Sequence, residues 1–192
     1  MRADARKNRD HLLAVARVAV AEQGADASLR DIARRADVAL PTLYRHFPTR
    51  EALLDALLRE GFDALADRAA ALEASDPPEG ALVAWLRDCV ALAREYRGVT
   101  ELMAAAIADP DSALHTSCVT MRAAGTRLLT RAQDGGAARA DLDGAELFAL
   151  VAALAWLGDH GSFVPFADHL FTVITDAVLT GGADRGAEEE RH

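Results

Sequence analysis

The sequence predicts an all-α protein in which a small N-terminal helix-turn-helix domain is joined by a long helix to a larger helical domain. Three observations lead to this prediction. Apolar residues recur with helical spacing along most of the chain, no stretch alternates with the period of a β-strand, and Pro and Gly clusters separate the periodic segments. We find no internal repeat, so the helices form one arrangement rather than a repeating array.

The composition is that of a globular protein, since 51% of the 192 residues are hydrophobic and 27% are charged. No apolar run reaches the roughly 18 residues that a membrane span needs. The N-terminus lacks the apolar stretch of a signal peptide, so we expect a cytoplasmic protein without a membrane partner. Cys89 and Cys118 form no spaced cluster and fit a reducing compartment.

The net charge of −9 is distributed unevenly along the chain. Residues 1–60 carry 11 basic and 9 acidic side chains, whereas residues 61–192 carry 10 basic and 21 acidic side chains. Such an asymmetry indicates a nucleic-acid-facing end and a different remainder. The excess at the N-terminal end is small, so a local basic surface matters more than the sum.

The first three predicted helices follow from spacing and capping signals. Residues 8–23 place apolar side chains on one helical face, and Gly24 closes that helix as a C-cap. Ser28 offers an N-cap oxygen to the second helix, with Asp31 at the capping-box position. Asp37 stands where a tight turn needs an adaptable backbone, and Pro41 suits the first turn of the third helix.

The remaining elements are separated by clear breaks. Pro48 ends the third helix, and Thr49 caps a fourth that runs from about residue 50 to 73. Its length suits a link between two domains. Further helices are predicted at 79–96, 99–108, 111–133, 143–160 and 164–180. The predicted domains are a helix-turn-helix at 1–48, a connecting helix at 49–75, a ligand-binding and dimerisation domain at 76–180, and a flexible tail at 181–192.

In the segment from residue 28 to 58, as in DNA-binding helix pairs, some residues hold the helices together and others are free to contact DNA. Small and apolar residues hold two short helices at a steep angle, so that the second enters the major groove. Thr42, Tyr44 and His46 carry groups that reach phosphate oxygens, and Arg45 and Arg50 add charge. The residues that hold the two helices together are Ile32, Ala33, Val38, Leu43 and Phe47.

Two further features of this segment are predicted to read bases. Arg30 matches the N7 and O6 atoms of guanine, and Leu40 and Pro41 match thymine methyl groups. Each predicted contact has an ordinary structural alternative, such as Tyr44 packing on the core, or His46 as a surface histidine. Arg34 and Arg35 are expected to form a solvated helix face. The spacing of the whole set favours DNA binding.

With these residues in place, the segment resembles the tetracycline-repressor (TetR/AcrR) family of bacterial regulators over roughly residues 8–60. The resemblance implies that Arg30, Leu40, Pro41, Thr42, Tyr44, His46 and Arg50 face DNA. The matching residues are Ile32-Ala33, Val38, Pro41-Thr42-Leu43-Tyr44, His46-Phe47 and Arg50-Glu51-Ala52-Leu53-Leu54.

The chain departs from the family pattern at two positions. Asp37 stands where the family usually has Gly, and Ala39 stands where it usually has a capping Ser or Thr. A less stable turn with the same docking on DNA is therefore expected.

The C-terminal region is expected to dimerise and to bind a small molecule. Residues 146–156 are apolar almost all round, which predicts burial on several sides, and residues 166–179 have one apolar face. Two such helices suit a four-helix bundle with a second copy, although an ordinary monomeric core is the alternative. Candidate pocket residues, each of which also suits plain core packing, are Trp85, Cys89, Met103, His115, Cys118, Met121 and Trp156.

His115 and Cys118 share a helix face, a spacing that suits a metal ion or a Cys–His pair. We find neither further ligands nor an orienting third group, so we predict no metal, no cofactor and no catalytic residue. The sequence favours a homodimeric, ligand-responsive regulator, a repressor that a small-molecule effector releases from double-stranded operator DNA. The alternatives are a helical ligand carrier or enzyme with a vestigial helix-turn-helix, and a protein–protein adaptor.

Overall fold

The computed structural model describes residues 2–75, 77–96, 109–110 and 112–180, and this part of the chain is all-α. An antiparallel bridge between Ala138 and Leu179 is its one β-type pairing. Short 3-10 turns follow α1, at Gly24–Asp26, and precede α8, at Val164–Phe166. The α-helices are α1 (Arg2–Gln23), α2 (Leu29–Arg35), α3 (Leu40–His46), α4 (Arg50–Ser75), α5 (Pro78–Glu95), α6 (Ala113–Asp134), α7 (Gly144–Asp159) and α8 (Ala167–Val178).

Most predicted helix ends lie within a few residues of the observed ones. The exceptions are α1, which begins at Arg2 rather than at residue 8, and the last predicted helix, which begins with a 3-10 turn that contains Pro165. The predicted helix at 99–108, which includes Met103, and the predicted tail at 181–192 lie outside the described residues.

By spatial contacts the chain divides into two compact units, and the first contains the described residues of 1–61 and 95–117. Its core joins α1 to the two short helices that follow. Leu12, Ile32, Leu43 and Phe47 are each no more than 2% exposed. Burial of an aliphatic or aromatic side chain of this size contributes roughly 1.5–3 kcal/mol. These buried apolar residues therefore hold α2 and α3 against α1.

The second unit, formed by the described residues of 62–94 and 118–180, is built around Trp85. The indole is fully buried, and its Nε1 donates a 2.9 Å hydrogen bond to the Leu65 carbonyl oxygen. The Phe148 ring meets it edge-on, with centroids 5.7 Å apart. Gly125 lies against the indole, where a Cβ would overlap two carbons of the six-membered ring. The core therefore requires a glycine on α6.

One prediction about α7 is wrong within a single chain. The helix was expected to be buried on several sides, but only Leu147, Leu154 and Ala155 are buried, and Trp156 is 48% exposed. Phe148, Leu150 and Val151 are half-buried, and the apolar residues of α7 that face outward are four alanines and Trp156.

The helix α4 is continuous over 26 residues and contributes to both units. Its first part, with Leu53, Leu57 and Leu58, is buried in the first unit, and Phe62, Leu65 and Leu72 are buried in the second. The domain boundaries drawn from the sequence stay a prediction. None of the described helices combines the length and the apolar character that crossing a membrane requires.

Candidate nucleic-acid interface

The turn between α2 and α3 is built from the backbone geometry that its residues permit. The Ser28 Oγ accepts a hydrogen bond from the Asp31 N–H at 3.4 Å, which confirms the predicted cap of α2. Asp37 adopts the left-handed conformation, with φ of +52°, and the Val38 N–H then returns to the Ala33 carbonyl at 3.0 Å. Ala39 occupies the N-cap of α3 without a side-chain hydrogen bond. The two departures from the family pattern thus occupy the predicted positions: Asp37 forms the turn, and Ala39 precedes α3 without a side-chain cap.

The helix α3 is anchored on one side and open on the other. Leu43 and Phe47 are buried, and the Phe47 N–H donates to the Leu43 carbonyl at 2.8 Å as the helix ends. Tyr44 is 45% exposed and therefore is not the core residue that the alternative interpretation required. The other predicted contacts on α3 are exposed or half-buried: Leu40, Pro41, Thr42, Arg45 and His46.

Carboxylates of the same unit pair with two of the arginines of α2. Arg34 hydrogen-bonds to Asp31, and Arg35 forms 2.7 Å ion pairs with Asp31 and with Glu22. The hydrogen bond from Arg34, with the charges of both arginines, holds the pKa of Asp31 below its usual value. The Asp31 carboxylate is used in these pairs instead of completing a capping box. Arg34 and Arg35 form the solvated helix face that the sequence predicted.

Three predicted DNA contacts supply positive charge, and they differ in their surroundings. Arg30 and Arg45 are exposed and make no ion pair within the described part of the chain. Arg50, the first residue of α4, lies 3.0 Å from the Asp26 carboxylate. The start of α4 is fixed by Thr49, whose Oγ1 accepts the Ala52 N–H at 3.1 Å. Of these three predicted contacts, Arg30 and Arg45 are therefore unpaired within the described residues, and Arg50 is paired.

The structure gives Arg9, one of the basic residues near the N-terminus, an aromatic partner that the sequence did not predict. The Arg9 guanidinium lies over the Phe47 ring, 5.3 Å from its centroid, in cation–π geometry. This contact places a positive charge beside the C-terminal end of α3, where the helix dipole favours a cation. No local sequence signal exists for it, because the two residues come from helices far apart in the chain.

The predicted pocket residues that the structure describes differ in their exposure. Trp85, Cys89, Cys118 and Met121 are buried, and His115 is half-buried. Trp156 lies on the outer face of α7, with its ring centroid 3.9 Å from that of His160. The ligand role of the set stays a prediction.

A different set of side chains lines the described hollow of the second unit. Its cavity volume is about 10 Å³, and most of its walls are apolar side chains from α5, α7 and α8. None of the seven predicted pocket residues is among them. The walls include Leu86, Leu150, Leu154, Phe171 and Ile174.

The two thiols are poorly suited to covalent chemistry. Burial raises the pKa of Cys89 and, to a smaller degree, that of Cys118, so both favour the neutral thiol over the nucleophilic thiolate. This weighs against the Cys–His pair that an enzyme would need. Within the described residues, no three His, Cys, Asp or Glu side chains are grouped to hold a metal ion.

Comparison with known proteins agrees with this geometry. Residues 12–57 match the sequence model of "Bacterial regulatory proteins, tetR family". Residues 77–186 match that of "Transcriptional regulator SbtR-like, C-terminal domain". None of the curated proteins is significantly similar to the chain.

Solved structures give the same picture. The TetR transcriptional regulator SCO0520 from Streptomyces coelicolor is 34% identical, with a TM-score of 0.68, over 89% of this chain and 98% of its own. A TetR transcription regulatory protein from Mycobacterium vanbaalenii is 32% identical, with a TM-score of 0.66, over 93% and 99%. The ketosteroid regulator KstR2 of Mycobacterium tuberculosis, at 21% identity and a TM-score of 0.59 over 90% and 95%, shares the fold.

Proposed function

The chain belongs to the TetR family and is a DNA-binding transcriptional regulator, and from that premise we propose that it represses transcription by holding operator DNA against the exposed side of α3. In this proposal the residues that contact DNA are Arg30, Leu40, Pro41, Thr42, Tyr44, Arg45, His46 and Arg50.

The observation that supports the proposal most strongly is that some arginines of this unit are paired with carboxylates and others are not. Arg34 and Arg35 are neutralised by Asp31 and Glu22, whereas Arg30 and Arg45 have no described ion-pair partner. A cation that has no intramolecular partner gains most from a phosphate, because it gives up only water and counterions on binding. The uncommitted charge lies on and beside the helix that the fold turns outward.

The contacts are expected to divide into positioning and reading groups. Thr42, Tyr44 and His46 carry hydroxyl or imidazole groups and would bind phosphate oxygens, which fix the register of the protein on the duplex. Arg30 is expected to read a guanine through N7 and O6, and the Leu40-Pro41 corner is expected to contact thymine methyl groups. Sequence preference would thus depend on few residues.

We propose a homodimer as the active form. Two helix-turn-helix units usually read half-sites about 34–36 Å apart, which requires two copies in a fixed arrangement. The outward apolar surface of α7 and α8 suits the interface, because large exposed apolar patches mark interaction sites. Exposed apolar side chains on these two helices and on the turn between them include Trp156, Phe163, Val164, Phe166 and Val173, each more than 40% exposed.

Release by a small molecule completes the proposal. A ligand that binds better to the state with misplaced recognition helices lowers operator affinity by the ratio of its affinities for the two states. The continuous helix α4 is the proposed route, since it contributes side chains to both units. The described hollow has room only for a molecule about the size of water, so the seven residues from the sequence remain the proposed contacts of a larger, ligand-bound pocket.

The test uses fluorescence anisotropy to measure, at several salt concentrations, how tightly the purified protein binds the DNA upstream of its own coding sequence. Replacing Arg45 with Gln should weaken binding and reduce the salt slope by about one. Arg34→Gln is the matched control, because Arg34 is already paired, and should leave both quantities nearly unchanged. A protein that binds DNA without any salt or sequence dependence would contradict the proposal and favour a vestigial helix-turn-helix.

A further inference from the structure

Asp26 closes the 3-10 turn after α1, and its carboxylate contacts the first residue of α4. The Asp26 Oδ1 lies 3.0 Å from the Arg50 Nη1, although the two residues are far apart in sequence. The Asp26 side chain is 99% exposed and that of Arg50 is 37% exposed. The pair therefore lies at the protein surface, where an incoming ligand reaches both groups.

A carboxylate oxygen at this distance has the same relation to a guanidinium as a phosphate oxygen does. Both are anionic acceptors, and Arg binds each through the same N–H groups. When DNA approaches, Arg50 must exchange the Asp26 carboxylate for a phosphate. Asp26 is then left unpaired beside a polyanion, which adds repulsion to the cost of the exchange.

Among the cations proposed to contact DNA, Arg50 is distinguished by its described ion-pair partner. The pairs of Arg34 and Arg35 involve arginines that the proposed interface does not use. Arg30 and Arg45 have no ion-pair partner within the described residues. The competition between carboxylate and phosphate thus affects one contact, at the start of α4.

We propose that Asp26 acts as an intramolecular phosphate mimic that holds Arg50 in the free protein and lowers its affinity for DNA. This inference rests on the proposed contact between Arg50 and the DNA backbone. It makes Asp26 an affinity-setting residue that does not itself bind DNA. The carboxylate keeps sequence-independent binding weak, because phosphate contacts supply most of that binding.

The experiment measures binding of the full-length protein to a fluorescein-labelled duplex of 30 mixed-sequence base pairs (about three turns of DNA), so no operator need be known. Asp26→Asn should lower Kd about threefold to fivefold, the worth of a surface ion pair. The matched control is Asp10→Asn, which removes one exposed carboxylate from α1 of the same unit and should change Kd less than twofold.

A double-mutant cycle separates competition for Arg50 from a general charge effect. In an Arg50→Gln background, Asp26→Asn should gain no more than the control does, because no guanidinium is left to release. The thermal midpoint of Asp26→Asn should stay within about 2 °C of the unsubstituted protein, since exposed ion pairs contribute little stability.

Several outcomes would overturn the inference. A loss of affinity together with a lower thermal midpoint would show that the pair only braces the turn after α1. A gain that persists in the Arg50→Gln background would show a general effect of charge, and an unchanged Kd would show no competition. If the unsubstituted protein bound neither this duplex nor its upstream DNA, the proposed function would fail as well, whereas normal binding with an unresponsive Asp26→Asn removes this inference alone.

Discussion

Arg17 on α1 donates a 2.6 Å hydrogen bond to the Glu60 carboxylate on α4, and the Tyr96 hydroxyl lies near the same guanidinium. The Tyr96 side chain is 2% exposed and follows directly after α5. A buried hydroxyl without its partner costs about 1–3 kcal/mol. This three-residue cluster thus fixes the first residue after α5 within the DNA-binding unit.

The first prediction concerns the alkaline stability that Tyr96 confers. Burial, with the nearby Glu95 charge, raises the pKa of Tyr96 above its usual value. A group whose pKa is raised by folding gives its full stabilisation below the unfolded value, about 10, and loses it as pH rises through the folded value. The thermal midpoint of the unsubstituted protein should therefore fall above about pH 10.

Removing the Tyr96 hydroxyl should reduce the loss of stability at alkaline pH. Tyr96→Phe is expected to be about 1 kcal/mol less stable at pH 7, because the interaction of the hydroxyl with Arg17 is lost, and to lose less stability between pH 9 and 11. Thermal unfolding followed by circular dichroism measures both effects. Tyr44→Phe, at the other tyrosine, should leave the alkaline fall in place; equal falls in both variants would contradict the prediction.

The second prediction concerns Gly125, which lies against the Trp85 indole. A Cβ at Gly125 would overlap the buried indole, and it would lie 3.1 Å from the Phe148 ring. Gly125→Ala should therefore destabilise the protein by about 1–3 kcal/mol, the usual cost of overpacking. Urea unfolding measures the change.

A matched glycine supplies the control for this substitution. Gly80 lies on α5, and a Cβ there would meet nothing within 4 Å. Gly80→Ala should stabilise the protein by up to about 1 kcal/mol, because Ala is the better helix former. The two changes in stability need not be equal in size. If Gly80→Ala also destabilised the protein, the loss of stability in Gly125→Ala could not be assigned to the clash with the indole.

The sequence was sufficient for features whose cause is local. Ser28 and Thr49 cap their helices as predicted, and Asp37 adopts the left-handed turn, because each depends on a few neighbouring residues. The capping box of Asp143 and Glu146 at the start of α7 was missed, although its spacing was visible. Helix positions and the anchored side of α3 follow from periodicity in the same way.

Contacts between distant residues were beyond the sequence. Asp26 pairs with Arg50 across the turn that follows α1, and Arg9 of α1 stacks on Phe47 at the end of α3; both contacts depend on tertiary packing, which no spacing rule predicts. The outward position of Trp156 has a similar cause, because hydrophobicity alone does not show which face of an apolar helix the chain itself covers.

The third prediction concerns the strained turn between α2 and α3. Asp37 has φ of +52°, a conformation that costs a non-glycine residue up to roughly 1–2 kcal/mol. Asp37→Gly should stabilise the protein by about 0.5–1 kcal/mol, after the entropy that Gly adds to the unfolded chain is deducted. Asp37→Ala should destabilise it, because Ala retains the Cβ and cannot form the local hydrogen bonds of Asp. Chemical denaturation of the three proteins would refute the prediction if Gly and Ala behaved alike.

The last prediction concerns the outward apolar face of α7 and α8, which we propose as the dimer interface. Val173 on α8 is 48% exposed, so a charge there costs a single chain little, but it would be desolvated and unpaired between two copies. Val173→Glu should therefore shift the protein from dimer to monomer, by at least tenfold in dissociation constant, as measured by analytical ultracentrifugation. Val119→Glu is the matched control, since Val119 is 49% exposed on α6. Dissociation caused by Val119→Glu alone would move the proposed interface to α6, and a monomeric unsubstituted protein would remove it.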